Sequence, residues 1–131
     1  MSNKRVLIVE DAADLRFLLR QLFEIEGFHV TPAANGQEAL ALLRAATELP
    51  QLILLDLMMP VMNGFEFCRA QAADPRLAGI PVIVMTADGD VGNKQRRAGA
   101  TDSLRKPIEV DQLLEVVNRH LRRTPLQHGA R

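Results

Sequence analysis

Three stretches of the chain are apolar without interruption: Val6-Leu7-Ile8-Val9, Leu52-Ile53-Leu54-Leu55 and Val82-Ile83-Val84-Met85. A strand with one wet face alternates apolar and polar residues, whereas a strand covered on both faces does not. The pattern therefore predicts buried strands of a parallel sheet over 5–10, 51–56 and 82–86. Between them the period becomes helical. Leu15, Leu18, Leu19, Leu22 and Phe23 fall on one face of a first helix that Gly27 stops. Asn35 is placed to cap a second helix carrying Ala39, Leu40, Leu42 and Leu43. A third helix is expected from Gly64 to Ala72, ending before Asp74-Pro75, and a last one from Val110 to Leu121 with Leu113, Leu114, Val117 and Leu121 on one side. Residues 28–34 contain Pro32, which cannot donate to a central ladder, so they read as an edge strand. Residues 102–104 supply a short fifth strand.

Five strands alternating with five helices, joined by right-handed crossovers, predict an α/β, doubly wound three-layer α/β/α sandwich. The edge position of the second strand fits a five-stranded parallel sheet of order 2-1-3-4-5, the flavodoxin-like arrangement. With 131 residues the chain suits one domain, expected over 1–123, followed by a flexible polar tail over 124–131 that contains Pro125 and Gly129. Sixteen basic side chains balance sixteen acidic ones, so no net field favours nucleic acid or an anionic membrane. The single Cys68 rules out an internal disulfide and fits a reducing cytoplasm; it reads as a small core residue of the third helix. The N-terminal apolar run is too short for a signal peptide or a membrane span. His29, His120 and His128 are scattered and read as surface groups, as do Arg96-Arg97 and the basic positions of 119–123.

The strand ends carry the candidate chemistry. Glu10-Asp11 follows the first run, Asp56 ends the third strand, Thr86 ends the fourth, and Lys106-Pro107 follows the fifth. Parallel strands bring their C-terminal ends to one edge, where open α/β sheets bind ligands. That edge would hold three carboxylates, a hydroxyl and an ammonium. Crowded carboxylates repel and rise in pKa unless a cation joins them. A small hard cation such as Mg²⁺ prefers such oxygen donors and keeps several waters. Singly, each residue has a plain structural reading: a solvated acidic loop, a turn cap, a strand-ending threonine, a surface lysine. Their joint placement at one edge favours a site for a divalent cation and a phosphoryl group.

Glu10-Asp11, the run Leu54-Leu55-Asp56-Leu57-Met58-Met59-Pro60-Val61-Met62-Asn63-Gly64, Thr86-Ala87, Gly99-Ala100 and Lys106-Pro107 together resemble the receiver domain of bacterial response regulators, over about residues 4–123. The resemblance implies a phosphorelay signalling protein of a two-component system rather than an enzyme acting on other substrates. Asp56 would be the phosphoacceptor, charged by a histidine kinase or a histidine phosphotransfer protein. Asp11 and Asp56 would ligate Mg²⁺ directly, Glu10 mainly through water, and the Met58 backbone carbonyl would add another oxygen. Lys106 would offset phosphoryl charge and Thr86 would donate a hydrogen bond to a phosphoryl oxygen. Pro107 would hold the end of the lysine's strand, by a cis peptide. Met58 and Asp88, two residues past Asp56 and Thr86, would tune the phosphoryl lifetime.

The chain departs from the receiver pattern it resembles in two places. Receivers usually carry Tyr or Phe three residues before the lysine, where this chain has Ser103; it contains no Tyr or Trp at all. The segment from Thr86 to Gly99 is about two residues short and contains Gly89 and Gly92, each interior glycine costing about 1 kcal/mol of helix stability. A short or mobile fourth helix is therefore expected, and with it an atypical output face in which Ser103 cannot report a Thr86 shift by burying a ring. Signal would leave by another surface, or Asp56 would act as a relay or phosphate sink. The alternative is a degenerate receiver that binds partners without phosphorylation. A phosphatase of the haloacid dehalogenase type needs a second acid where Met58 stands, and an FMN protein would not tolerate Glu10-Asp11 in its phosphate loop. No nucleotide-binding glycine loop follows a strand. The residues after Arg123 leave no room for an output domain, so a stand-alone receiver or a segment of a longer protein is expected.

Overall fold

The computed structural model describes residues 4–87 and 89–128, with side chains described to residue 121. The elements alternate throughout: β1 (Arg5–Val9), α1 (Ala13–Ile25), β2 (His29–Ala33), α2 (Gly36–Ala45), β3 (Leu52–Asp56), α3 (Gly64–Ala73), β4 (Val82–Thr86), α4 (Val91–Ala98), β5 (Asp102–Arg105) and α5 (Val110–His128). The sheet has five parallel strands in the order β2-β1-β3-β4-β5, as the sequence pattern predicts. Pro32 lies in edge strand β2, opposite Ile8.

Side chains of successive strand residues point to opposite faces, so each unbroken apolar run feeds two cores at once. Leu7, Val9, Ile53, Leu55 and Val84 pack with Leu40 and Leu43 of α2 and Phe67 and Cys68 of α3. Val6, Ile8, Leu54, Ile83 and Met85 pack with Leu19 and Phe23 of α1 and Leu113, Val116 and Val117 of α5. Every residue of β3 and β4 is buried. The sheet is the middle layer of three, and at its C-terminal edge lie the buried polar residues Glu10, Asp56 and Thr86.

Helix ends follow local signals. Asn35 caps α2 by accepting from the Glu38 amide at 2.9 Å. Asn63 and Glu66 form a reciprocal capping box on α3, at 2.9 Å in each direction. The fourth helix is short, with eight residues, and buries none of its side chains. Asp90 caps it, and Gly99 ends it at φ 71°, a left-handed conformation that glycine adopts without steric cost.

Three expectations change. Leu18 and Leu42, counted on apolar helix faces, are exposed. The apolar arc of α1 centres on Leu19 and Phe23 and that of α2 on Ala39, Leu40 and Leu43, which turns both leucines outward. The last helix runs to His128 rather than ending at Leu121. A nucleated helix extends at little cost, so an apolar stripe marks where it packs and not where it stops. His120 is buried rather than a surface group, while His29 is exposed and the His128 side chain lies outside the described residues. His120 continues the Leu113, Val116, Val117 face of α5 by one turn, and its Nε2 lies 2.9 Å from Asp102 Oδ2 on β5. Asp102 also accepts from Arg119, at 3.1 Å. The helical period carried this placement, and residue type alone hid it.

Candidate phosphoacceptor site

The β ladder brings the strand-end residues together. Glu10 follows β1 and its amide donates to the Ala33 carbonyl at 3.0 Å, which continues the β1–β2 ladder past the strand. Asp56 is the last residue of β3 and stands opposite Met85 in register, one residue before Thr86. The Lys106 amide donates to the Thr86 carbonyl at 2.9 Å, which fixes where the lysine leaves β5. The Lys106-Pro107 peptide is cis, as the resemblance implied.

Glu10, Asp56 and Thr86 are buried, and Asp11 is exposed at the rim. One carboxylate oxygen from each of Glu10, Asp11 and Asp56 lies within 4.8 Å of the others. The Lys106 ammonium bridges two of the three, donating to Glu10 Oε1 at 3.0 Å and to Asp56 Oδ2 at 3.3 Å. The other Asp56 oxygen, Oδ1, accepts from the Met58 amide at 3.0 Å. Glu10 Oε2 likewise accepts from the Ala12 amide at 3.0 Å. Each buried carboxylate is thus oriented by one backbone amide and one ammonium hydrogen bond.

Electrostatics follow from this packing. Burial pushes the Glu10 carboxyl above its usual value, and the Asp56 charge adds to that; the Ala12 amide and Lys106 pull the other way without cancelling it. Burial pulls the Lys106 ammonium down, but its hydrogen bond to Glu10 and the charges of Glu10 and Asp56 outweigh this and raise it. Lys106 therefore stays charged at neutral pH. The raised Glu10 value means that its neutral form favours the fold at acidic pH, and this contribution is lost as pH rises through the raised value. A cation among the three carboxylates would remove the penalty of charging Glu10. Three converging hard oxygens fit a small divalent cation of the Mg²⁺ type.

Of the remaining sequence-derived residues, Met58 is exposed beside Asp56, with its amide engaged as above. Asp88 lies outside the described residues. Ser103 lies away from the carboxylates, facing α4, where its Oγ donates to Gln95 Oε1 at 2.8 Å. The amide of Gln95 donates in turn to the Thr101 carbonyl at 3.2 Å.

Two participants escaped the sequence reading. Gln95 carried no signal, since a glutamine on a polar helix is unremarkable by type. Arg16 donates from Nη1 to the Glu10 carbonyl at 2.8 Å and to the Asp11 carbonyl at 3.3 Å. Its signal was electrostatic: a cation in the first turn of a helix opposes the helix dipole and invites a compensating contact.

This arrangement has relatives. The family model described as the response regulator receiver domain matches residues 6–118. The chain is 38% identical over 122 residues to the DNA-binding dual master transcriptional regulator RpaA of Synechocystis, covering 92% of this chain and 50% of that protein. It spans, then, about half of RpaA's length. It is 36% identical over 124 residues to sporulation initiation phosphotransferase F of Bacillus subtilis, covering 92% of this chain and 96% of that one. Among solved structures, the receiver domain of a Pseudomonas aeruginosa sensor histidine kinase superposes with a TM-score of 0.81 at 26% identity, covering 90% of this chain and 97% of that one. That structure has a magnesium ion coordinated in its active-site cleft. With the strand order, the acidic cluster and the motif spacing all in agreement, the chain belongs to the response regulator receiver domain family.

Proposed function

We propose that this protein is a phosphoacceptor in a two-component phosphorelay of the cytoplasm, taking a phosphoryl group onto Asp56 from the phosphohistidine of a kinase or phosphotransfer protein. The observation that carries this reading is the buried Asp56 carboxylate held by Lys106 and the Met58 amide within the Glu10–Asp11–Asp56 cluster. In the transfer a carboxylate oxygen of Asp56 forms the new P–O bond as the P–N bond to the donor imidazole breaks, and the imidazole leaves with a proton. Positioning and charge neutralisation carry most of such a step. Asp11, Asp56 and the Met58 carbonyl would hold Mg²⁺, with Glu10 acting mainly through water, and the ion would offset phosphoryl charge. Lys106 moves its hydrogen bond from Asp56 toward the incoming phosphoryl oxygens, and the Thr86 hydroxyl donates to another. Pro107 holds the lysine's strand end in place. Met58, exposed beside Asp56, flanks the approach to the phosphoryl group, and by the family resemblance Met58 and Asp88 would tune its lifetime.

Incubation with acetyl phosphate should add one phosphoryl group to the intact mass when Mg²⁺ is present and none when it is chelated. Equal modification in both conditions would remove the metal from the reading. No modification together with no Mg²⁺ binding would leave the phosphorylation-independent binding module as the better reading.

The output face is also proposed to be atypical. Each of the other helices buries at least two side chains, but α4 buries none and, apart from Ala98 packed against the core, is held through polar and cation–π contacts. Gln95 bonds to Ser103 and Thr101, and Arg97 lies 4.8 Å over the Phe65 ring. Such contacts loosen more readily than a packed aromatic ring, so α4 responds to phosphorylation by loosening from β5. A partly buried neutral hydrogen bond contributes about 1 kcal/mol, equivalent to about a fivefold change in local opening. Ser103→Ala should therefore speed amide exchange in α4 by about fivefold while leaving α1 unaffected. Identical α4 exchange in the variant and the parent protein would rule out the Ser103–Gln95 hydrogen bond as a contact that holds α4.

A further inference from the structure

We propose that Arg16 is a positioning residue for the cation site: it clamps the β1–α1 loop from behind, by its backbone carbonyls, so that Glu10 and Asp11 present their carboxylates to a divalent cation. The inference rests on the reading of Glu10, Asp11 and Asp56 as cation ligands and adds to it a residue outside the acidic cluster.

The loop between β1 and α1 is only Glu10-Asp11-Ala12. Asp56 sits on a buried strand end, but Asp11 is exposed, so burial does not hold its carboxylate in place. The helix that follows offers little local help, because its N-cap residue is Ala12 and no side chain caps it. Ser, Thr, Asp or Asn at that position would have tied the loop to the first turn. Arg16 reaches back instead. Its Nη1 donates to the Glu10 carbonyl at 2.8 Å and the Asp11 carbonyl at 3.3 Å, while its own amide donates to the Ala12 carbonyl at 2.9 Å. All three loop carbonyls therefore accept hydrogen bonds from one residue.

The choice of acceptor matters. Lys106 spends its ammonium on carboxylate oxygens, competing for lone pairs that a cation would use. Arg16 takes carbonyl oxygens and leaves the Asp11 carboxylate to the cation. A guanidinium in the first helical turn opposes the helix dipole and stands near the cation site, so its charge by itself is unfavourable there. Its value must then be geometric. Outer residues that orient metal ligands typically alter metal affinity by about 10–100-fold when removed.

This makes the charge and positioning roles opposite in sign. If Arg16 acted only through its charge, Arg16→Gln would tighten Mg²⁺ binding by removing a repulsive cation. If it clamps the loop, the same change weakens binding by about tenfold. Arg16→Lys keeps the charge but ends in a shorter side chain whose ammonium falls short of the point where Nη1 meets both carbonyls, and should weaken binding by a smaller factor. Because the chain has no Trp or Tyr, isothermal titration calorimetry with Mg²⁺ is the suitable readout, beside urea unfolding of each protein without Mg²⁺. Weakened binding in both variants, with folded protein confirmed by its unfolding transition, is the expected result. Unchanged or tighter Mg²⁺ binding in Arg16→Gln would overturn the clamp. Absence of Mg²⁺ binding by the parent protein would overturn the cation site itself, and the clamp with it. Should Arg16→Gln fail to fold, Arg16→Lys decides alone, with unchanged affinity counting against the clamp.

Discussion

Substituting Asp56 by Asn is expected to abolish phosphoryl incorporation from acetyl phosphate while making the metal-free protein more stable. The first effect is chemical: the amide cannot supply the oxygen nucleophile that forms the acyl phosphate. The second follows from the charges around Asp56. Asp56 stands with Glu10 and Asp11 in one cluster, is buried, and has Lys106 as its charged hydrogen-bonding partner. Asn removes two like-charge repulsions and the desolvation of a buried charge, against one attraction lost. It keeps the oxygen that accepts from the Met58 amide. A net gain on the order of 1 kcal/mol is expected in urea unfolding without metal. Added Mg²⁺ at a hundred times its Kd would stabilise the parent protein by about 2.7 kcal/mol, and the variant by much less. A phosphorylated Asp56→Asn protein would move the acceptor elsewhere. A variant less stable than its parent would mean that the Lys106 attraction outweighs the repulsion.

Gly64→Ala is expected to cost the protein about 2 kcal/mol and to disturb Asp56, the proposed acceptor, through its backbone. A Cβ on Gly64 would lie 2.6 Å from Leu57 Cα, 2.6 Å from Leu57 Cδ2 and 3.0 Å from the Asp56 carbonyl oxygen. Leu57 is fully buried and its carbonyl accepts from the Gly64 amide at 2.9 Å, so neither partner has room to retreat. The gain in helix propensity on replacing glycine by alanine is at most about 1 kcal/mol, too little to offset the clash. A Tm lower by roughly 8 °C would accompany this loss in a domain of this size. Because Leu57 adjoins Asp56, phosphorylation by a small donor should slow as well. An alanine variant as stable as its parent would show that the first turn of α3 does not press on the end of β3.

The two effects illustrate why this site sits at the rim of a buried sheet. Charging Glu10 at the C-terminal edge is unfavourable because burial raises its carboxyl above the usual value. Rigid neighbours such as the Leu57–Gly64 contact hold the charged groups in place, and the protein's own stability is the cost of keeping three carboxylates together. A ligand that joins them recovers that cost, which couples binding to the shape of the edge.

Much of this was legible from the chain. Unbroken apolar runs predicted β1, β3 and β4 to within a residue, because full burial on both faces removes the need for polar alternation. Pro32 marked the edge strand because a residue without an amide hydrogen is excluded from a central ladder. Asn35 and Gly64 marked helix starts. The acidic pair, Asp56, Thr86 and Lys106 were legible as a group because parallel topology sends every strand's last residue to the same rim. Less legible were contacts made by a residue's face or reach. His120 is buried because it extends the Leu113–Val117 stripe by one turn, although histidine by type suggests the surface. Leu18 and Leu42 point outward although leucine by type suggests the core.

The sequence by itself determined the alternation of elements, the sheet order and the set of groups at the sheet edge, since these depend on local period and on short-range sterics. Only the tertiary structure decided how those groups meet. That Lys106 bridges Glu10 and Asp56, that Arg16 folds back on the Glu10 and Asp11 carbonyls, and that Ser103 bonds Gln95 are facts of side-chain reach between residues 5 to 96 positions apart. Hydrogen bonds of this kind depend on ångström-scale placement that packing of the whole core sets, and no local pattern in the chain encodes them.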